Sequence, residues 1–387
     1  YYQPEFLTPD GKMEEQGYVT DLITDKSIAW LEQAKNNDQP FLLMCHHKAP
    51  HREWLPAQRH LDSLTAKQYP EPETLFDDYE GRGTAAKEAE MRIKGHMGLP
   101  NDNKIPPKVA HELGYEDFMD WYSKAYHWNL ERLTPEEMKK WKATYGPIIE
   151  EFRSTKPQGK ALTHWKYQRY MEDYIASIRA VDESVGEILD YLDKNGLTEN
   201  TLVVYTSDQG FYLGEHGWFD KRFMYEESYR TPLLMRLPAI IKPGTVNTDL
   251  VQNLDYAETF LQLAGLDIPD DMQGHSLLPL LNGDNTHWRD ALYYHYYEYP
   301  SIHMAKRHYG VSTARYKLIH FYYDIDEWEL YDLEKDPREM HNLIDDPNYA
   351  QVKQQLHQKL DSLRQLYGDS DSLSRSILEA DLEQWGR

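Results

Sequence analysis

One pattern constrains the fold of this chain more than any other: an amphipathic helix, a break, a short apolar run and a polar loop follow one another twice. Residues 18–34 carry apolar side chains at helical spacing, and the apolar run 41–45 follows after a polar break. Residues 164–194 repeat the helical spacing, and the β-branched run 201–206 follows an Asn-Gly turn. Short apolar runs after such helices are typical of buried strands in parallel sheets. The repetition therefore predicts a layered α/β domain.

The C-terminal part of the chain shows a different pattern, in which short segments of alternating aromatic content precede one amphipathic helix. The predicted strands are residues 291–299, 309–313, 316–323 and 328–330, and the predicted helix is residues 349–367. A further strand over 233–237 and a helix over 254–263 are predicted before them. We therefore expect an α/β domain over residues 1–285 and a smaller antiparallel sheet-plus-helix subdomain over residues 286–387.

Residues 62–160 differ from both parts, because prolines interrupt charged, helix-favouring stretches rich in Glu, Lys, Met and Trp. We interpret this range as a long, partly helical insertion on the surface rather than as core. A lid over a site is one possibility for it, and an excursion without function is the more common case.

Composition excludes several classes of protein. Lys and Arg total 42 against 65 Asp and Glu, so the formal net charge of −23 argues against binding to nucleic acid or to anionic lipid. The single cysteine, Cys45, excludes an internal disulfide framework and a cysteine-rich metal site. No run approaches the ~18 apolar residues of a membrane span.

The chain opens without Met or a visible targeting segment, so we expect its first residue to be an interior point of a longer protein.

The densest cluster of chemically active side chains follows the second predicted strand, at residues 207–221. Asp208 and Gln209 place a carboxylate and an amide oxygen at the end of that strand, and such hard oxygens suit calcium or magnesium. Three glycines permit a tight loop near a ligand, and His216 and Lys221 add a titratable ring and a cation. An Asp-Gln-Gly turn alone would be ordinary. The whole combination is harder to explain as a turn and indicates a metal site.

A second cluster, residues 48–51, follows the first apolar run and ends in His51. A histidine there can act as a general acid or bind an anion, although a lone histidine is more often structural. Neighbouring parallel strands bring their carboxyl ends together, so we expect His51 to lie near the loop at 207–221.

These residues resemble the type I, formylglycine-dependent sulfatases of the alkaline-phosphatase superfamily. The motifs that carry the resemblance are Asp208-Gln209-Gly210, Gly214-Glu215-His216-Gly217, Asp220-Lys221-Arg222 and Tyr225-Glu226. Residues 41–51, 180–206 and 309–343 resemble the flanking blocks of that family, whereas 62–160 contains no motif of it. The sequences of these blocks are most similar to those of bacterial N-acetylglucosamine-6-sulfatases, which desulfate glycosaminoglycans. The resemblance implies a sheet between layers of helices, as in alkaline phosphatase.

The resemblance also implies roles for individual residues. Asp208 and Gln209 would bind the one active-site calcium ion. Lys221 would hold a sulfate oxygen and the bridging oxygen of the ester, and His51 would protonate the leaving sugar oxygen. This assignment is chemically sensible, because a divalent cation and a lysine stabilise an anionic sulfuryl group and a sugar alkoxide leaves poorly without a proton.

The resemblance suggests two further contacts with the sulfated saccharide substrate, one from His216 and one from His308 in the small subdomain. Polymer-degrading bacterial sulfatases are exported, so a periplasmic or secreted location is implied as well.

One departure from the family is serious, because the Cys/Ser-x-Pro-x-Arg motif that yields formylglycine and the Asp-Asp metal pair before it are both absent from this sequence. Cys45 lies inside an apolar run and does not match that motif. We therefore expect a companion N-terminal segment to supply the formylglycine and the other half of the calcium site.

Two alternatives stay open at this point. A non-catalytic relative that binds sulfated glycans would keep the fold without ever carrying a nucleophile, and residues preceding Tyr1 would decide between it and an enzyme. A phosphoester hydrolase of the same superfamily would need a denser His and Asp zinc set than Asp208 and Gln209 provide.

Overall fold

The structure is a computed structural model that describes residues 1–37, 39–63, 68–115 and 120–384. It divides into two compact units. The first consists of Tyr1–Glu73 and Arg92–Thr198, and the second of Thr74–Met91 and Glu199–Arg387. The two units are described separately below, and the predicted domain boundary at residue 285 stays a prediction.

Eleven α-helices, besides short 3₁₀ turns, are seen in the described residues: α1 (Val19–Ala34), α2 (Thr84–Glu88), α3 (Pro107–Glu112), α4 (Asp120–Glu131), α5 (Pro135–Thr155), α6 (Gly159–Lys194), α7 (Glu226–Tyr229), α8 (Asp255–Leu263), α9 (Leu278–Leu281), α10 (Ala350–Leu366) and α11 (Asp371–Gln384). The strands of the described residues are β1 (Glu5–Thr8), β2 (Gly11–Glu14), β3 (Val203–Thr206), β4 (Tyr212–Leu213), β5 (Phe219–Asp220), β6 (Leu233–Arg236), β7 (Ala291–Tyr296), β8 (His308–Thr313), β9 (Tyr316–Phe321) and β10 (Glu327–Asp332).

Two long helices form the frame of the first unit. Helix α1 packs along α6, with Leu31 and Ala180 almost fully buried. A hydrogen bond of 2.5 Å joins the hydroxyls of Thr24 and Ser184 across the helices, so these two buried polar groups satisfy each other. Both helices were predicted from the spacing of their apolar residues, and both are confirmed within a few residues.

The range 62–160 differs from the expected surface insertion. In the first unit, Tyr145 on α5 and Ile105 before α3 have no exposed surface and belong to two buried clusters. In the second unit, Ala85 of α2 and Met91 are equally buried in a third cluster. The charged composition of the range hid apolar residues at helical spacing, and these residues form core.

The apolar run 41–45 differs from prediction too, because it is not part of any sheet among the described residues. Its side chains alternate in burial as in a strand, and Leu42 and Met44 are 61% and 68% exposed. The expected buried parallel strand is therefore wrong for the described chain: a strand requires a partner backbone, and none pairs with this segment there.

The paired strands of the second unit are antiparallel. Strand β3, predicted as buried, pairs with β6, and their directly opposed residues Tyr205 and Leu234 are 40% and 64% exposed. The predicted segments 201–206 and 233–237 are thus strands, but one face of this two-stranded sheet is open in the described residues.

The C-terminal sheet has the strand order β10-β9-β8-β7 and is antiparallel throughout. Side chains alternate between its faces: Val311 and Leu318 pack with Leu360 of α10, whereas Ile319 packs with Trp218 in the cluster beneath the 207–221 loop. The predicted four-stranded antiparallel sheet with its helix is confirmed. Among the residues described, no helix combines the length and the apolar character that a membrane crossing requires.

Candidate active site

The loop at residues 207–221 leaves the end of β3 in the second unit and folds onto the segment around α7. The amide of Gly210 donates to the carbonyl of Ser228 at 2.9 Å. A side chain at position 210 would lie 2.6 Å from the Arg230 carbonyl oxygen and closer still to that of Glu227, so only glycine fits here. This close approach fixes the direction in which Asp208 and Gln209 leave the strand.

Asp208 is exposed, and Gln209 beside it is half-buried. The main-chain oxygen of Asp208 accepts a hydrogen bond of 2.9 Å from Asn253. One terminal atom of the Gln209 amide lies 3.1 and 2.5 Å from the two carboxylate oxygens of Asp208. In one orientation of the amide its nitrogen donates to the carboxylate; in the other, three oxygens converge, which is the donor set that calcium prefers.

This donor pair fits calcium but is small. Among the described residues, no group of three or more His, Cys, Asp or Glu side chains is arranged to hold a metal ion. Calcium takes six to eight oxygen ligands, so Asp208 and Gln209 would supply only part of its shell.

His216 has no exposed surface, and both of its ring nitrogens have partners. Nδ1 lies 2.9 Å from the guanidinium of Arg82, which is paired with Asp77, and Nε2 lies 3.3 Å from a carboxylate oxygen of Glu227. Burial would raise the pKa of Glu227, but the hydrogen bond from His216 holds it below its usual value. The structure places His216 as an internal support of the loop, and its contact with substrate stays a prediction.

Lys221 lies at the end of the loop in a compact charged cluster that the sequence did not reveal. Its ammonium is 3.4 Å from a carboxylate oxygen of the buried Asp220, which Arg222 and His303 also contact at 2.5 and 3.0 Å. Burial would raise the pKa of Asp220, but the hydrogen bond from His303 and the neighbouring cations hold it well below the usual range. Arg222 adjoins Lys221 in sequence, but nothing in the sequence pointed to His303.

His308, the predicted substrate contact of the small subdomain, lies at the start of β8 with no exposed surface. Its Nδ1 is 2.7 Å from the carbonyl of Lys306, and its Nε2 has no hydrogen-bond partner among the described residues. Burial lowers the pKa of His308 to about 3, so the ring is neutral at ordinary pH. The predicted contact with substrate stays a prediction.

His51 is exposed in the first unit, on a loop of residues 48–54. Its Nδ1 lies 2.6 Å from the carbonyl oxygen of Arg52 and 3.0 Å from the ammonium of Lys48, which donates to the same oxygen at 2.9 Å. Trp54 donates to the carbonyl of Pro50 at 2.8 Å, so the loop is closed on itself.

Asp208, Gln209, His216, Lys221 and His308 therefore all belong to the second unit, and His51 belongs to the first. Within the second unit, the loop carries the metal-type pair together with Asp220 and Lys221, and His303 joins the charged cluster from a distant part of the chain. The predicted approach of His51 to that loop stays a prediction.

The fold and these motifs define a family. Residues 1–266 match the family model described as Sulfatase, and residues 214–366 match the model described as N-sulphoglucosamine sulphohydrolase, C-terminal. The chain belongs to the sulfatase family, as the resemblance predicted.

Two relatives show which sulfatases this chain is similar to. The chain is 49% identical over 374 residues to the N-acetylglucosamine-6-O-sulfatase of Bacteroides thetaiotaomicron, a match that covers 96% of this chain and 66% of that protein. An arylsulfatase of Clostridium perfringens is 31% identical over 207 residues, or 52% of this chain and 42% of the relative. The chain thus spans about two thirds or less of the length of these curated relatives.

A solved structure shows that the similarity extends to the fold. The structure of BT4656 in complex with its substrate D-glucosamine-2-N,6-O-disulfate superposes with a TM-score of 0.89 and 48% identity, over 96% of this chain and 74% of that one. The described chain therefore has the sulfatase fold, with the antiparallel sheet and helix at its C-terminal end.

Proposed function

We propose that this chain is the larger part of a calcium-dependent sulfatase that hydrolyses the 6-O-sulfate ester of N-acetylglucosamine or glucosamine in a glycosaminoglycan. The observation that carries the proposal is the 49% identity, over nearly the whole chain, to an N-acetylglucosamine-6-O-sulfatase. The structural relative in complex with a 6-O-sulfated glucosamine supports the same substrate class.

A companion N-terminal segment is part of the proposal. Its support is the absence of a Cys/Ser-x-Pro-x-Arg motif from this sequence, together with the greater length of the relatives. The segment would carry formylglycine as the nucleophile and further calcium ligands. It would also complete an alkaline-phosphatase-like sheet between helices, in which exposed apolar side chains such as that of Leu234 would be covered.

The calcium ion would be held in part by Asp208 and Gln209, whose oxygens suit it. When bound, calcium supplies electrostatic stabilisation of the anionic sulfuryl group. Lys221 would add a second positive charge at the sulfate and at the bridging oxygen. Its ammonium is held 3.4 Å from Asp220, so the cation is already oriented before substrate arrives.

His51 would act as the general acid. Because its Nδ1 faces the carbonyl of Arg52, Nδ1 can keep its own proton, and Nε2 is the nitrogen from which a proton can be transferred. As the bond between sulfur and the sugar oxygen breaks, that oxygen takes the electron pair and the proton of Nε2. The net charge of −23 does not favour a sulfated substrate at long range, so local cations must provide the attraction.

Three single variants of the full-length enzyme test this assignment. Lys221→Ala and His51→Ala are expected to lower sulfate release from a 6-sulfated sugar by at least ~10³-fold with little change in melting temperature. Asp208→Ala is expected to lower the calcium content measured by elemental analysis. The matched controls are variants of exposed residues of the same types, Lys242→Ala, His287→Ala and Asp270→Ala. Near-native turnover in either catalytic variant, or unchanged calcium in the third, would contradict the proposal.

Three further measurements test the companion segment, the identity of the metal and the location of the protein. Intact-mass analysis of the native protein is expected to reveal the companion segment and an aldehyde in place of its Cys or Ser. Two zinc ions per chain in place of calcium would favour a phosphoester hydrolase instead. We also propose periplasmic or secreted localisation, which cell fractionation followed by immunoblotting tests.

A further inference from the structure

A buried ion pair lies directly behind His51 in the first unit. The Nε and Nη2 atoms of Arg52 donate to the two carboxylate oxygens of Asp102, each at 2.6 Å. The side chain of Arg52 is 8% exposed and that of Asp102 is fully buried. Such bidentate pairing restricts the guanidinium in both distance and orientation.

Asp102 is itself held firmly. Its carboxylate accepts further hydrogen bonds from the amide of Gly98 at 2.7 Å and from the side chain of Asn101 at 3.2 Å. The guanidinium of Arg52 also lies over the ring of Tyr122, 5.0 Å from its centroid. The pair is therefore a firm anchor within the unit, and Asp102 comes from the range 62–160, which the sequence predicted to be surface.

The main chain of the same arginine holds the imidazole. The carbonyl oxygen of Arg52 lies 2.6 Å from Nδ1 of His51 and accepts from the ammonium of Lys48 at 2.9 Å. The guanidinium and this carbonyl belong to one residue, so the bonds to Asp102 restrict the main-chain position from which the carbonyl extends. Arg52 thus links the imidazole to a carboxylate that does not touch it.

We propose that Arg52 and Asp102 form a positioning pair, which orients His51 for proton transfer to the leaving sugar oxygen. This inference rests on the proposed function, in which His51 is the general acid. Misplacement of a catalytic group by ~1 Å can cost ~10²-fold in rate, so a loosened carbonyl would slow the step that needs the proton. Binding of the sulfate group would be little affected.

The test compares two leaving groups in the full-length enzyme. Removing one member of a buried ion pair leaves an unpaired charge, so the informative variant is Arg52→Met with Asp102→Leu, which removes both charges together. On a sugar 6-sulfate, kcat is expected to fall at least ~30-fold with KM within ~2-fold. On 4-nitrophenyl sulfate, whose leaving group needs no proton, kcat is expected to fall less than ~3-fold.

The control is an exposed bidentate pair of the same unit, Arg59 and Asp21, whose two bonds are 2.8 Å long. Arg59→Met with Asp21→Leu is expected to leave both rates within ~2-fold. If the double variant at positions 52 and 102 does not fold, Arg52→Lys is the second test. It keeps a cation and the carbonyl but loses the bidentate geometry, and the same selective loss on the sugar sulfate is expected.

Equal losses on both substrates, or no loss on either, would overturn the positioning role. His51→Ala provides the reference, since it should show the same selectivity with a larger loss. If His51→Ala is not selective for the poor leaving group, then the general-acid role of the proposed function fails. If it is selective and the pair variants are not, only the present inference fails.

Discussion

Replacement of His308 by phenylalanine should make the second unit less sensitive to acid. The buried imidazole has a pKa of about 3, whereas an unfolded histidine titrates near ~6.5. Because the folded pKa is the lower one, the unfolded state takes up the proton first, and His308 costs stability as the pH falls below about 6.5. At ~1.4 kcal/mol per pH unit, this cost is ~2 kcal/mol at pH 5.

The variant should be nearly as stable as the wild type at pH 8. It loses the bond from Nδ1 to the carbonyl of Lys306, worth ~1 kcal/mol, but it also removes a buried Nε2 that lacks a partner among the described residues. The new ring would lie among aromatic neighbours, beside Phe223 and Phe321. Other buried titrating groups, such as Glu339 and His295, occur in both proteins and cancel in the comparison.

The assay is thermal unfolding of both full-length proteins at pH 8 and pH 5. A difference of ~2 kcal/mol corresponds to ~4–8 °C for a unit of this size, so between pH 8 and pH 5 the melting temperature of the wild type should fall by that much more than that of the variant. His287→Phe, at an exposed position, is the control and should follow the wild type. Equal shifts in wild type and His308→Phe would refute the account of a buried, neutral His308. If His308→Phe raises the KM for a sugar 6-sulfate at pH 8, that result would support the predicted contact of His308 with substrate.

The remaining predictions concern the loop and the buried charges beneath it. Gly210→Ala should strain the loop by about 1–3 kcal/mol and weaken calcium binding at least ~10-fold in titration calorimetry, because a methyl group has no room beside the carbonyl of Arg230. The control Gly186→Ala, in open space on α6, should be neutral or stabilising. Unchanged calcium affinity of Gly210→Ala would contradict the packing. Lys317 is fully buried 2.7 Å from Glu339, so Lys317→Met should destabilise the protein by about 3–5 kcal/mol in denaturant unfolding. The double variant Lys317→Met with Glu339→Leu should recover most of that loss, because both charges are removed. A double variant no more stable than the single one would contradict this prediction.

Local periodicity determined much of the fold. The apolar spacing of α1, α6 and α10, and the alternation in β7 to β10, predicted these elements within a few residues. Helical and strand periods depend only on neighbouring residues, so a sequence can reveal them without its partners. The loop at 207–221 was recognisable for the same reason, since Asp208, Gln209 and Lys221 lie close together along the chain.

Contacts between distant segments were decided by tertiary structure alone. The burial of residues 62–160 depends on which surfaces meet, and composition suggested the opposite. The pairs Arg52 with Asp102 and Asp220 with His303 join residues that no local spacing relates. Pairing energy in a folded protein arises from desolvation and geometry, which the order of residues does not encode locally. The sequence by itself thus determined the family and the strongly periodic elements, whereas the tertiary structure decided which segments are buried and what holds them in place, because burial depends on contacts between distant residues.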